Sequence, residues 1–261
     1  MKRKAILVVS FGTSHSDTRQ KTIDQIEIDI QKEYPEYVIY RAFTSKMIIK
    51  ILKNRDGIHT FTVSEAMEQM KRDGIEDVIV QPTHILNGIE NDIMIQEANL
   101  YKEEFTSILF GVPLLSETKD YWSAIKAFVK RLPAIAENEA IVCMGHGTEH
   151  YTNASYAALD YMFKAYGYDN IYVATVEAYP SLEHIMEQLK ENKYKKIVLI
   201  PFMIVSGDHA KNDMAGDEDD SWRVILENEG FEVSCILEGL GENPDIRRIF
   251  VEHIKDVLML E

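Results

Sequence analysis

Eight short apolar runs, rich in β-branched residues, recur along this 261-residue chain and limit what it can fold into. They fall at Lys4–Ser10, Tyr37–Ala42, Asp77–Gln81 and Phe105–Phe110, then at Ala140–Met144, Ile171–Val176, Lys196–Pro201 and Glu232–Leu237. Most are continuous rather than alternating, the pattern of strands buried on both faces. Helical segments fill the gaps. Ser16–Tyr34 carries Ile23, Ile26 and Ile30 at helical spacing, and Val63–Arg72, Ala124–Arg131, Ser181–Lys190 and Ser221–Glu229 are similar. Strand alternating with helix predicts an α/β fold of parallel sheets built from right-handed βαβ units.

The runs also repeat. Val8-Val-Ser-Phe-Gly-Thr13 echoes Val142-Cys-Met-Gly-His-Gly-Thr148, and Arg41-Ala-Phe-Thr-Ser45 echoes Glu177-Ala-Tyr-Pro-Ser181. Val80-Gln-Pro-Thr-His-Ile-Leu-Asn-Gly88 echoes Leu199-Ile-Pro-Phe-Met-Ile-Val-Ser-Gly207. Three matches in one order predict an internal duplication: two similar α/β lobes with a cleft between them. The expected boundaries are 1–117 for the first lobe, 118–138 for a connecting helical region and 139–242 for the second lobe. Residues 243–261, with a helix over Pro244–Leu260, are expected to pack back on the first lobe. A cleft between such lobes is a favoured ligand site.

The chemistry gathers at strand ends of the second half. Met144-Gly-His-Gly-Thr-Glu-His150, Thr175-Val-Glu-Ala-Tyr-Pro180 and Ser206-Gly-Asp-His-Ala-Lys-Asn-Asp213 each end or follow an apolar run. They carry His146, Glu177 and His209. Ligands of open α/β sheets sit at the carboxyl ends of strands, and two imidazoles with one carboxylate suit a transition metal. The repeat sets Phe11, Arg41 and Glu90 opposite these three, so the trio belongs to one half only. Asp208 is expected to orient the His209 ring, and His150 to sit on the surface where the next helix starts. Asp213 and the acidic stretch Asp217–Asp220 read equally as a cation funnel or as a solvated loop with helix N-terminal charge.

In the first half, Ser10-Phe-Gly-Thr-Ser14 joins a strand to a helix. Its backbone donors and hydroxyls are candidates to hold an anionic group, with His15 and Arg19 nearby. His84, in Gln81-Pro-Thr-His-Ile85, is a candidate to face the cleft. No Gly-Lys-Ser/Thr follows the first turn, and Gly145-His-Gly147 lacks the third glycine of a dinucleotide fingerprint, so nucleotide binding is poorly supported. Tyr151, Tyr156, Tyr161 and Tyr166 form no single helical stripe; ordinary packing accounts for them as well as an aromatic wall does.

Composition narrows the partners. With 28 Lys+Arg against 43 Asp+Glu the net charge is −15, which argues against nucleic acid or an anionic membrane. Cys143 and Cys235 lie in apolar runs without a C-x-x-C, and are expected as buried core thiols. The apolar run Ala5–Val9 is too short for a signal segment, and no run approaches a membrane span. The expectation is a cytoplasmic protein, a monomer or small homo-oligomer.

The Gly-His-Gly-Thr turn, the Val-Glu-Ala-Tyr-Pro segment, the Ser-Gly-Asp-His-Ala-Lys-Asn-Asp-Met loop and the N-terminal Ser-Phe-Gly-Thr-Ser resemble the anaerobic cobalt chelatases of cobalamin biosynthesis, the CbiK type. The resemblance spans essentially the whole chain. It implies a class II chelatase fold related to ferrochelatase, and insertion of Co²⁺ into sirohydrochlorin or its precursor precorrin-2. It implies Co²⁺ as substrate metal with no organic cofactor, and His146, Glu177 and His209 as metal ligands and catalytic residues. His146 is also the expected base, since imidazole as a class titrates near neutral pH. Phe11, Gly12, Thr13, Ser14 and His84 are the expected contacts of the polycarboxylate tetrapyrrole, with Arg19 and Lys211 close by. The alternatives are a ferro- or nickel-chelatase on the same macrocycle, or a tetrapyrrole or metal carrier that performs no insertion. A metal-dependent hydrolase is disfavoured, because no further base or oxyanion donor is evident.

Overall fold

A computed structural model describes residues 3–259. Met1, Lys2, Leu260 and Glu261 lie outside the described residues, and with them the outer ends of the expected lobes and the last residue of the predicted C-terminal helix. Among the described residues there are eight strands: β1 (Lys4–Ser10), β2 (Val38–Phe43), β3 (Asp77–Pro82), β4 (Ser107–Phe110), β5 (Glu139–Gly145), β6 (Ile171–Thr175), β7 (Lys196–Pro201) and β8 (Glu232–Cys235). They form two four-stranded parallel sheets of matching order, β2-β1-β3-β4 and β6-β5-β7-β8.

The two sheets share a register. Val9 lies opposite Pro82 in the first, and Met144 lies opposite Pro201 in the second. Just beyond, Thr83 donates its N–H to Val9 O and Phe202 donates to Met144 O, both at 2.8 Å. Val9 therefore corresponds to Met144, and Pro82 to Pro201. This fixes every other equivalence along the strands, because a slip of one residue would turn the whole apolar set to the wrong face.

Alternate residues of the central strands serve different cores, as a period of two requires. Ala5, Leu7 and Val9 pack with Met67, Met70 and Met94 in a core private to the first lobe. Ala140, Val142 and Met144 pack with Leu189, Leu199 and Met214 in a core private to the second. Ile6, Val8, Ile141 and Cys143 face one shared core, which also takes in Phe128, Phe163, Phe202 and Phe250. Each fully buried side chain of this size contributes about 1.5–3 kcal/mol, so the shared core ties the two lobes together.

The helix Pro244–Leu258 lies against helices Ile23–Glu33 and Thr118–Val129. Arg247 Nε donates to Asp29 at 2.6 Å, Tyr34 donates to Val251 O at 2.9 Å, and Asn243 donates to Ala127 O at 2.8 Å. The predicted helix Ser16–Tyr34 is two pieces, Ser16–Lys21 and Ile23–Glu33. The break is at Thr22, whose hydroxyl bonds Thr18 O, and there the chain at Gly241 passes so close that a Cβ would stand 2.8 Å from Thr22 Cβ. Of the two cysteines, Cys143 is buried and burial pushes its thiol pKa up. Cys235 is only half-buried, because β8 is an edge strand.

Candidate metal centre

The strand ends of the second lobe carry the site. His146 is the first residue after β5, and Glu177 the second after β6. The ladder continues past both strands: Val176 donates to Gly145 O and Glu177 to His146 O, each at 3.0 Å. This places the two side chains side by side, with His146 Nδ1 3.5 Å from Glu177 Oε2. Gly147 makes the turn possible. Its φ is +89°, and a Cβ there would stand 2.9 Å from Ala178 N, so only glycine fits without strain. Asn153 clamps the two loops, accepting from Thr148 N at 3.0 Å and donating to Tyr179 O at 2.5 Å.

His209 comes from β7 by a longer route. It opens a π-helical turn, His209–Met214, anchored by Ala210 and Met214 in the second lobe's core. Its ring stands edge-on to His146, with centroids 4.7 Å apart at 88°. One ligand atom from each of His146, Glu177 and His209 lies within 4.8 Å of the other two. Among the described residues no other trio of His, Cys, Asp or Glu converges this way. The three side chains are 37%, 53% and 34% exposed, so the group faces open space rather than a sealed core. Each imidazole has one nitrogen engaged. His146 Nδ1 is 2.9 Å from Gly147 O; a carbonyl only accepts, so Nδ1 carries the hydrogen and Nε2 keeps its lone pair.

Several predicted neighbours stand elsewhere. Asp208 does not orient His209. It reaches across to the first lobe, where its Oδ1 lies 2.9 Å from His15 Nε2, while Asp213 Oδ2 lies 2.5 Å from His209 Nδ1. The π turn begins at His209, so the residue four further on comes under the ring and the residue before it turns away. The sequence marks Asp213 as one of an acidic group that could draw cations, but not as the partner of His209, because nothing in it announces a π turn. His150 is half-buried, caps the turn Tyr151–Asn153, and stands 3.5 Å from Asp92 across the cleft.

Of the expected tetrapyrrole contacts, Phe11 is 40% exposed and its ring lies 6.2 Å from that of His146. Gly12, Thr13 and Ser14 are buried. The Thr13 hydroxyl accepts from His15 N, and Ser14 O accepts from Arg55 Nη2. Arg55 was not among the predicted residues; its guanidinium also pairs with Asp56 at 2.7 Å. His84 is 9% exposed, and neither ring nitrogen reaches solvent or a protein partner. It offers the cleft surface no polar atom. Burial holds its pKa down at about 4. Arg19 Nε lies 3.5 Å from Asp24, and Lys211 Nζ 3.9 Å from Asp17 across the lobe junction. The tyrosines form no wall: Tyr156 is buried, Tyr151 and Tyr161 are exposed, and Tyr166 stacks on Trp122. In the acidic loop, Asp217 pairs with Arg223 and Ser221 caps helix Trp222–Asn228.

A family profile for cobalt chelatase (CbiK) matches residues 4–259. The chain belongs to the cobalt chelatase (CbiK) family. Sirohydrochlorin cobaltochelatase of Salmonella typhimurium is 41% identical over 256 residues, covering 98% of this chain and 97% of that protein. Sirohydrochlorin cobaltochelatase CbiKC of Nitratidesulfovibrio vulgaris is 29% identical over 257 residues, covering 97% and 90%. Among solved structures, SirB from Bacillus subtilis with Fe³⁺ superposes with a TM-score of 0.67 at 14% identity, covering 98% of this chain and 95% of that one. CbiX, the terminal enzyme for siroheme biosynthesis in denitrifying bacteria, superposes with a TM-score of 0.58 at 14% identity, covering 97% and 98%. At these identities the two structures show a shared chelatase-like fold. Among the described residues of this family member, no helix is long and apolar enough to cross a membrane.

Proposed function

We propose that this chain is a sirohydrochlorin cobaltochelatase: it inserts Co²⁺, its substrate metal, into the macrocycle during cobalamin biosynthesis. The observation that carries the reading is the convergence of two imidazoles and one carboxylate within 4.8 Å at the strand ends of a cobalt chelatase family member. In this reading His146 and His209 offer neutral nitrogen donors and Glu177 one anionic oxygen. Such a set is chemically suited to Co²⁺ and leaves coordination positions for the incoming macrocycle. The lobes 1–117 and 139–242, with the connection 118–138 and the returning segment 243–261, frame the cleft in which the macrocycle sits. Phe11, opposite His146, meets one of its faces.

The charge balance sets what else is needed. A divalent ion enters the ring and two pyrrole protons leave, so the site must accept protons as the metal departs. His146 takes one of the two on Nε2, the nitrogen that its bond to Gly147 O leaves free, and the other passes to water, to which the site is open. Glu177 lies 3.5 Å from the same ring. The test is an absorbance assay with sirohydrochlorin and Co²⁺, run with the macrocycle in large molar excess. The expected result is many metallated macrocycles per protein. A single stoichiometric spectral change would sink the enzymatic reading in favour of a carrier. Parallel runs with Fe²⁺ and Ni²⁺ rank the metals.

A further inference from the structure

We infer that Asp213 is the positioning residue for His209, making this imidazole the anchored member of the pair; the inference rests on the metal-site reading above. Asp213 Oδ2 and His209 Nδ1 are 2.5 Å apart, within one π-helical turn. A carboxylate accepts, so the bond fixes the hydrogen on Nδ1 and points the Nε2 lone pair outwards. The turn is itself held: Ala210 and Met214, the residues that directly follow His209 and Asp213, are buried in the second lobe's core. Ring, carboxylate and backbone are thus one rigid unit, edge-on to His146 at 4.7 Å.

His146 is bound differently. Its hydrogen-bond partner at Nδ1 is the Gly147 carbonyl at 2.9 Å, a neutral group, and the nearest carboxylate, Glu177, stands further off at 3.5 Å. A carboxylate partner raises the donor strength of an imidazole more than a carbonyl does, and such outer partners set the ring's orientation. The two histidines are therefore unequal. His209, backed by an anion, is the firmer ligand, and His146, backed by a dipole, gives up the metal more readily. A chelatase needs that inequality, because a metal held equally by every donor has no side from which to be drawn away.

The experiment compares the wild type with Asp213→Ala and Asp213→Asn. The first readout is Co²⁺ binding without macrocycle, by calorimetry and by the visible d–d bands. The second is the KM for Co²⁺ and for sirohydrochlorin separately. Asp213→Ala is expected to weaken Co²⁺ binding about 10–100-fold, the usual loss for such a partner. It should raise the KM for Co²⁺ in step and leave that for sirohydrochlorin unchanged. Asp213→Asn, of the same size and still able to accept from Nδ1, should lie between the two and shift the d–d bands. It also serves if the alanine variant folds poorly. Co²⁺ binding by Asp213→Ala within twofold of wild type overturns the inference, as does an equal rise in both KM values. A wild type that binds Co²⁺ but metallates no macrocycle would overturn the proposed function alone, with the Asp213 comparison still readable.

Discussion

The first lobe has the same three positions as the metal centre, brought to the same place, with different chemistry. Hydrogen bonds past the strand ends set the match: Thr44 N bonds Ser10 O and Ser45 N bonds Phe11 O, as Val176 N bonds Gly145 O and Glu177 N bonds His146 O. Phe11 thus corresponds to His146, and Ser45 to Glu177. Counting on from Pro82 and Pro201 pairs Glu90 with His209. Phe11, Ser45 and Glu90 all line one hollow of about 370 Å³, together with Phe43, Thr62 and Glu97. Convergence is therefore a property of the repeated βαβ frame and not of the metal. One lobe offers two imidazoles and a carboxylate, and the other offers an aromatic ring, a hydroxyl and a lone carboxylate. The comparison teaches that the frame supplies the geometry and a few side chains decide which lobe does the chemistry.

The strongest way to break this division is to truncate the matched pair Phe11 and His146. His146→Ala should cut Co²⁺ insertion by about 10²–10⁴-fold, the range for losing a positioned general base, with no change in unfolding midpoint because the ring is half-exposed. Phe11→Ala removes a tilted ring contact at 6.2 Å, a loss of about 0.5–1.5 kcal/mol, and should cost no more than a factor of about ten. Equal losses from the two would mean that the lobes share the chemistry. The assay is initial rate of insertion, set beside a thermal melt.

Much of this was legible in the sequence, and the misreading has a physical cause. Gly12-Thr13 and Gly147-Thr148 mark identical turns, so Phe11 was matched to His146 correctly. The stretch from Pro82 to Glu90 aligns without a gap on Pro201 to His209. Arg41, however, is not the counterpart of Glu177. It sits within β2 opposite Val8, and its guanidinium bonds Glu27 at 2.6 Å and also Asp24. The repeat was anchored on Ser45 and Ser181, and each of these does cap a helix. Ser45 comes two residues after β2 ends at Phe43, whereas Ser181 comes six after β6 ends at Thr175. The second lobe therefore has four extra residues, and Glu177 lies in that longer loop. Matching the caps hid the insertion. The pairing of Asp213 with His209 was illegible for another reason, since helical periodicity does not describe a π turn.

The twin glycines sharpen the comparison at a smaller scale. Gly12 and Gly147 both have positive φ, +102° and +89°. An alanine at either position should cost about 1–3 kcal/mol of stability through backbone strain alone. What the new Cβ would strike differs. At Gly12 it comes within 2.6 Å of the Phe43 ring, and at Gly147 within 2.9 Å of the Ala178 backbone, in the loop that carries Glu177. Gly147→Ala should therefore also weaken Co²⁺ binding, by about 10-fold or more, because small displacements of donors are costly. Gly12→Ala should leave Co²⁺ binding intact. Urea unfolding and Co²⁺ titration of both variants check this, and a loss of Co²⁺ binding in Gly12→Ala would contradict it.

The mildest difference lies at His84, whose counterpart is Met203, a core residue of the second lobe. The same frame position is filled by a thioether in one lobe and by an unpartnered imidazole in the other. Burial lowers the His84 pKa from 6.5 to about 4. The unfolded chain therefore binds a proton between these values that the fold refuses. The stability tied to the neutral ring is complete above pH 6.5 and is lost as pH falls towards 4. At pH 5 that loss is about 2 kcal/mol. His84→Met copies the second lobe's solution and removes both the titration and two unbonded ring nitrogens, so the variant should be at least as stable as wild type at pH 8. Its margin over wild type should widen by about 2 kcal/mol at pH 5, because every other titrating group is common to both proteins and cancels in the difference. Urea midpoints at the two pH values measure the margin. Insertion activity at pH 8 should not change, since His84 presents no polar atom to the cleft. A margin that stays constant with pH would show that the fold accepts a proton on His84, and that this position in the first lobe is polar where its twin is not.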